Sequence, residues 1–246
     1  NQYQLQNALK AVLPDIQVPI RCVENSNFSF KTTEIPDKYT ILDFVEFLYR
    51  HIHDPIKIGR FHDFYNHQHY DVLDKGKFRS EFRNKVNSIF SRNGIVFYLD
   101  ESGEIKRAVP EFVKHMLSNI KFCTTDLRLN ELLDVAYSKF VLPKPNNRIE
   151  SLEKLWDAFE RLKTFFESNK KVSAQTLVEF VSKKKGLFEE YVGREFSELS
   201  EIGNKFQIRH FERNKEQLNS DLHIDYLFYR MSSLIHLCIQ SLNEVG

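Results

Sequence analysis

The chain has 246 residues, 41% of them hydrophobic, with 22 phenylalanines; that is enough apolar surface for a substantial core and enough length for two domains. Its 35 basic and 34 acidic side chains nearly cancel, so whole-chain charge gives no argument for nucleic-acid binding, and any such binding needs a local basic patch. Eight glycines form neither GxGxxG nor GxxxxGK[ST], which sets aside the dinucleotide and P-loop sites, and no apolar run approaches the roughly 18 residues of a membrane span.

Residues 1–110 read as a small mixed domain. In "YTILDFVEFLYRHI", 39–52, Ile41, Phe44, Val45, Phe47 and Leu48 recur at helical spacing. "HIHDPIKIGRFHDFYNHQHYD", 51–71, gathers His51, His53, His62, His67 and His69 with Asp54, Asp63 and Asp71. Imidazole and carboxylate suit zinc, iron or manganese, and the pairs 51/53 and 67/69 would share a face in a strand. The spacing matches no strict metal motif, however. The stretch therefore reads as a loop that packs its aromatics on a core and keeps its polar tips wet, with no metal ligands and no cofactor assigned.

"FRSEFRNKVNSIFSR", 78–92, predicts a second helix through Phe78, Phe82, Val86 and Ile89. Its polar side carries Lys77, Arg79, Arg83, Lys85 and Arg92, a set able to track a phosphate backbone or to be an ordinary solvated face. Two β-prone runs flanking Asp-Glu-Ser-Gly predict a β-hairpin near 94–109. Helix followed by hairpin resembles half of a winged-helix domain.

Residues 111–246 read as an antiparallel helical bundle, with helices expected near 110–120, 126–139, 148–168, 173–183, 186–212 and 223–243. Pro143 and Pro145 separate the second from the third. Leu152, Leu155, Trp156, Phe159, Leu162 and Phe166 fall on one arc, opposite an expected Asp157–Arg161 pair. Lys163 lies within that arc, its stem expected over the core and its ammonium in water. On the next helix Phe188, Val192, Phe196, Leu199, Ile202 and Phe206 form a stripe. One further turn brings it to His210 and then Arg213, with Arg209 at the edge and Ile208 on the far side. The fold class expected is α+β, mostly α.

"IGNKFQIRHFERNK", 202–215, places Arg209, His210, Glu212, Arg213 and Lys215 within seven residues. Histidine exchanges protons near neutral pH, and arginine clamps phosphate through two hydrogen bonds. The alternative is a structural network in which His210 is bonded to Glu195 or a tyrosine.

The pattern of 148–244 resembles the helical HEPN superfamily, many of whose members are toxins or phage-defence proteins that cut RNA without a metal. Their motif is an Arg followed, a few residues on, by a His on a late helix. Here Asn204 stands six positions before His210, where that motif has Arg, and Arg209 and Arg213 supply the nearby guanidinium groups. "RHFE" resembles the short Arg-His-x-Glu stretch of some abortive-infection proteins. The resemblance implies an endoribonuclease or RNA-binding protein acting as a homodimer. His210 would move a proton at a ribose 2′-hydroxyl, Arg209 or Arg213 would hold the scissile phosphate, and Glu212 and Asn204 would support them. Two other readings stay open: a non-catalytic module for dimerisation or for docking a partner protein, and a winged-helix DNA binder using 78–109 with Lys77, Arg79, Arg83 and Arg92. The three cysteines, Cys22, Cys123 and Cys238, are odd in number and far apart; with no signal-peptide pattern, a reducing cytoplasm is expected.

Overall fold

The computed structural model describes residues 2–14, 16, 36–73, 76–111, 114, 124–183, 186–206, 208 and 216–244. They form an α+β, mostly helical protein, in two compact units, Asn1–Ala108 and Val109–Gly246.

The first unit contains α1 (Gln2–Val12), α2 (Lys38–His51), β1 (Asp54–His62), β2 (His67–Leu73), α3 (Lys77–Arg92), β3 (Phe97–Leu99) and β4 (Ile105–Arg107). Asp37 caps α2 by accepting from the Tyr39 N–H at 2.8 Å, which satisfies a donor left over at the helix start. Of the expected stripe, Phe47 is buried and Phe44, Val45 and Leu48 are partly buried against the cores, while Ile41 is exposed and Leu42 and Tyr49 are buried as well. The reason is that α2 serves two small cores. Phe47 packs with Leu9 and Ile16, while Leu42 and Tyr49 pack with Leu99 and Ile105.

The predicted hairpin at 94–109 is present as β3–β4, antiparallel with Tyr98 opposite Lys106. Asp100 builds its turn: one carboxylate oxygen accepts from the Ser102 and Glu104 N–H groups at 2.9 and 3.0 Å. Asn87 of α3 bonds both the N–H and the C=O of Leu99, and Glu46 of α2 accepts from the Ile105 N–H at 2.6 Å, so both strands are tied to helices. Gly103, at φ +86°, lies so close to the Tyr49 ring that a side chain there has no room.

The stretch expected to be a loop, 51–71, instead enters a second antiparallel hairpin from Asp54 on, β1–β2. Nor does it lay its aromatics on a core: Phe64 is 91% exposed and Tyr65 70%. Period-2 burial, the usual sign of a strand, is missing because both faces of this hairpin are largely in water.

The second unit contains α4 (Leu127–Phe140), α5 (Pro145–Leu162), α6 (Lys170–Ser182), α7 (Gly186–Lys205) and α8 (Asp221–Asn243). The helix expected at 110–120 lies, but for its first residues, outside the described residues. Helix α4 packs on α5, α5 on α8, and α6 on both α7 and α8. Their common core holds Leu155, Trp156 and Phe159 of α5, with Phe140 stacked on Phe228 at 3.7 Å between ring centroids.

Several helix ends differ from expectation. Pro145 opens α5 rather than preceding it, because the first helical position needs no N–H donor. Helix α5 stops at Leu162, which leaves Phe166 outside it and exposed. Asn169 caps α6 through the Lys171 and Val172 N–H groups and starts it three residues early. Helix α7 ends at Lys205, not near 212. Phe206 and Glu216 pair as an isolated parallel bridge, and the Glu216 N–H donates to the Lys205 carbonyl at 3.1 Å. Ile208, expected on the far side of a continuing helix, is buried in the core.

Candidate functional sites

Of the residues expected to form the reactive site, Arg209, His210, Glu212 and Arg213 lie outside the described residues; Asn204 is exposed on the last turn of α7. His210 turns inward only if the helix runs on without a break. With α7 ending at Lys205, that periodicity does not reach it. The chain around the segment is nevertheless fixed: Phe206 and Glu216 are paired and Ile208 is buried. Ile208 also lines a cavity of about 160 Å³ with Ile149, Leu152, Leu218, Asn219 and Ile224.

The bundle's Arg–Glu network forms without His210. Arg230 of α8 donates to the two carboxylate oxygens of Glu195 at 2.7 and 2.8 Å, and also meets Glu198 at 2.5 Å, both on α7. The hydrogen bond to Glu195, offset in part by burial, raises the Arg230 pKa above its ordinary value. Glu195, considered as a partner for His210, thus already accepts a bidentate guanidinium.

Lys163 stands apart from its expected role. It is only 7% exposed, and its ammonium is held by neighbouring side chains. The Nζ atom lies 2.6 Å from Glu160, donates to Ser200 Oγ at 2.9 Å and sits over the Phe159 ring. Glu160 also pairs with Lys170. Burial works to raise the Glu160 pKa, but hydrogen bonds from Lys163 and Lys170 more than offset this and hold it below the usual carboxylate range. The expected Asp157–Arg161 pair is replaced: Arg161 reaches Asp126, the cap of α4, at 2.7 Å, while Asp157 meets Lys154 at 3.2 Å.

Lys163, Lys170 and Lys171 line one cleft of about 390 Å³ with Ser197 and Ser200 of α7. Lys163 and Lys170 both pair with Glu160, and Lys171 adds a third lysine to the lining, so these four side chains together are net positive. Ser197, Ser200 and Asn204 stand at i, i+3 and i+7 and share a face of α7, which leads from the cleft to the helix end. The sequence offered one signal of this cleft, the lysine inside an apolar arc.

On α3, Lys77 and Arg92 are exposed. Arg79 and Arg83 take part in the unit's own structure: Arg79 donates to the Ile52 carbonyl at 3.1 Å, and Arg83 meets Glu101 at 3.0 Å.

The histidine-rich stretch divides. His51 stacks on Phe47 at the end of α2. His62, His67 and His69 come together on the β1–β2 hairpin, with a nitrogen of each within 4.8 Å of the others. Among described residues, no helix is long and apolar enough to cross a membrane. Cys238 is fully buried, and burial pushes its thiol pKa up to about 12. Comparison with protein-family models, curated proteins and solved structures gives no match to this chain.

Proposed function

We propose that this protein binds and cleaves RNA without a metal, in the manner of the phage-defence and toxin proteins that 148–244 resembles, and that it works as a homodimer. The reactive group is His210 with Arg209 and Arg213, supported by Glu212 and Asn204. One observation carries this reading: the lysine-lined cleft lies along the face of α7 that ends at Asn204, just before the segment. A phosphate backbone gains from several cations in a row, and the ammonium groups hold it by charge without reading sequence. His210 then takes or gives a proton at the 2′-hydroxyl while an arginine holds the phosphate next to it.

The test puts purified chain and its His210→Ala variant with mixed cellular RNA in EDTA. Cleavage by the wild type alone, at unchanged melting temperature, is expected. No cleavage by either protein would sink the catalytic reading. A melting temperature lowered in the variant would point instead to a structural His210, since stranding a buried partner costs about 1–3 kcal/mol.

A second reading, a module for dimerisation or partner docking, draws support from α7, where Leu187 and Tyr191 are 74% and 61% exposed. Substituting them would break association and leave RNA untouched under that reading.

A further inference from the structure

We propose that the β1–β2 hairpin is a zinc site, with His62, His67 and His69 each giving one imidazole nitrogen and the fourth position left to water or an oxyanion. The local fold supplies the geometry. His67 and His69 stand two apart in β2, so they project from one face. His62 is the cross-strand partner of His67, and the register irregularity between Ile58 and His62 carries it to the same end of the ladder. Between them, a single 3-10 turn over Asp63–Tyr65 and Asn66 in the left-handed region close the hairpin.

The distances suit the metal. Two nitrogens each about 2.05 Å from one tetrahedral zinc stand about 3.3 Å apart. His67 Nε2 and His69 Nε2 are 3.3 Å apart. All three nitrogens lie within 4.8 Å of one another on exposed side chains, whose rotation draws them closer around one ion. Three imidazoles without a carboxylate or thiolate favour zinc or a later first-row ion over magnesium or calcium, which take oxygen.

The hairpin also has a physical need for a staple. An isolated two-stranded ribbon is marginal in water. Among the described residues, none of 54–73 belongs to either core of the unit, and the tip residues Phe64 and Tyr65 are in solvent. A metal bound by His62 on one strand and His67 and His69 on the other locks the register at the turn end of the ladder, and its binding free energy becomes folding free energy of the hairpin. A ligand set of three leaves one exchangeable position, unlike the closed four-ligand sites of purely structural zinc.

Equilibrium dialysis of the full chain against zinc chloride, followed by metal analysis, tests this. Wild type and His53→Ala, whose imidazole lies outside the trio, are expected to retain one zinc per chain. His67→Ala and His62→Asn are expected to bind at least about tenfold more weakly. Cobalt(II) in place of zinc is expected to give the visible bands of a tetrahedral site in wild type and to lose them in both variants. Absence of zinc from the wild type overturns the proposal. So does equal zinc in wild type and both variants, with folding of each variant checked by circular dichroism.

Discussion

Two glycines of α7 make opposite predictions from the same substitution. A methyl added at Gly203 lies 2.1 Å from Trp156 Nε1 and 2.6 Å from Cε2. That indole is 1% exposed in the centre of the bundle and cannot swing aside. A methyl added at Gly193 meets only Val178 Cγ1, at 3.8 Å, an ordinary contact. Alanine in place of glycine inside a helix gains up to about 1 kcal/mol from propensity alone. Gly193→Ala keeps that gain. Gly203→Ala adds an overpacking cost of about 1–3 kcal/mol and ends as a net loss of up to about 2 kcal/mol. Because both positions lie on α7, the difference between the variants isolates the packing term. Trp156 is the only tryptophan in the chain, so its fluorescence during urea unfolding follows this unit alone. The expected midpoint of Gly193→Ala lies above wild type and that of Gly203→Ala below it. Trp156→Phe added to Gly203→Ala, followed by circular dichroism because the only tryptophan is gone, is expected to recover part of the loss relative to Trp156→Phe alone, as contacting sites do in a double-mutant cycle. A Gly203→Ala protein as stable as Gly193→Ala would refute the packing described for α5 and α7.

Other consequences concern charge. Glu195→Gln weakens the Arg230 clamp between α7 and α8 and is expected to cost roughly 1–2 kcal/mol, since the pair is part-buried; urea denaturation reads it, and no change would mean that the clamp is ornamental. At Asp100, burial raises the carboxyl pKa, but hydrogen bonds from Lys106, Ser102 and the Glu104 N–H outweigh it and hold it at about 2. The folded value lies below the unfolded value, so this stabilisation is full above about pH 4 and is lost as pH falls through about 2. Asp100→Asn should flatten that part of the acid-unfolding curve for the first unit, and an unchanged acid limb would contradict the assignment. The buried Cys238 thiol is expected to resist alkylation at neutral pH in the folded chain and to react on unfolding, read by peptide mass mapping; rapid native labelling would show that α8 is not packed as described.

Where a helix carried one strong apolar stripe, the sequence sufficed. Leu152, Leu155, Trp156, Phe159 and Leu162 are buried as their spacing requires. It failed where burial was two-sided or absent. Helix α2 feeds two cores, so no single stripe describes it, and β1–β2 has no core face to alternate against. The end of α7 was hidden for another reason. Phe206 continues the apolar stripe, but it is bridged to Glu216, ten residues on, and local periodicity carries no trace of that contact. For the candidate sites, His67-x-His69 was visible as a pair sharing a strand face. The third imidazole came only with the cross-strand register that sets His62 opposite His67. The lysine cleft likewise joins α5, α6 and α7 in space, although Lys163 already stood out as a charge in an apolar arc.

The chemistry of the cut ends tests the RNA-cleaving account most directly. When a histidine takes the proton from the 2′-hydroxyl, the 2′-oxygen forms the new bond to phosphorus and the 5′-oxygen leaves with a proton. Fragments made in EDTA should therefore carry 2′,3′-cyclic phosphate and 5′-hydroxyl ends, and none should form with His210→Ala. Fragments with 5′-phosphate ends, or cleavage that persists in the variant, would contradict the account.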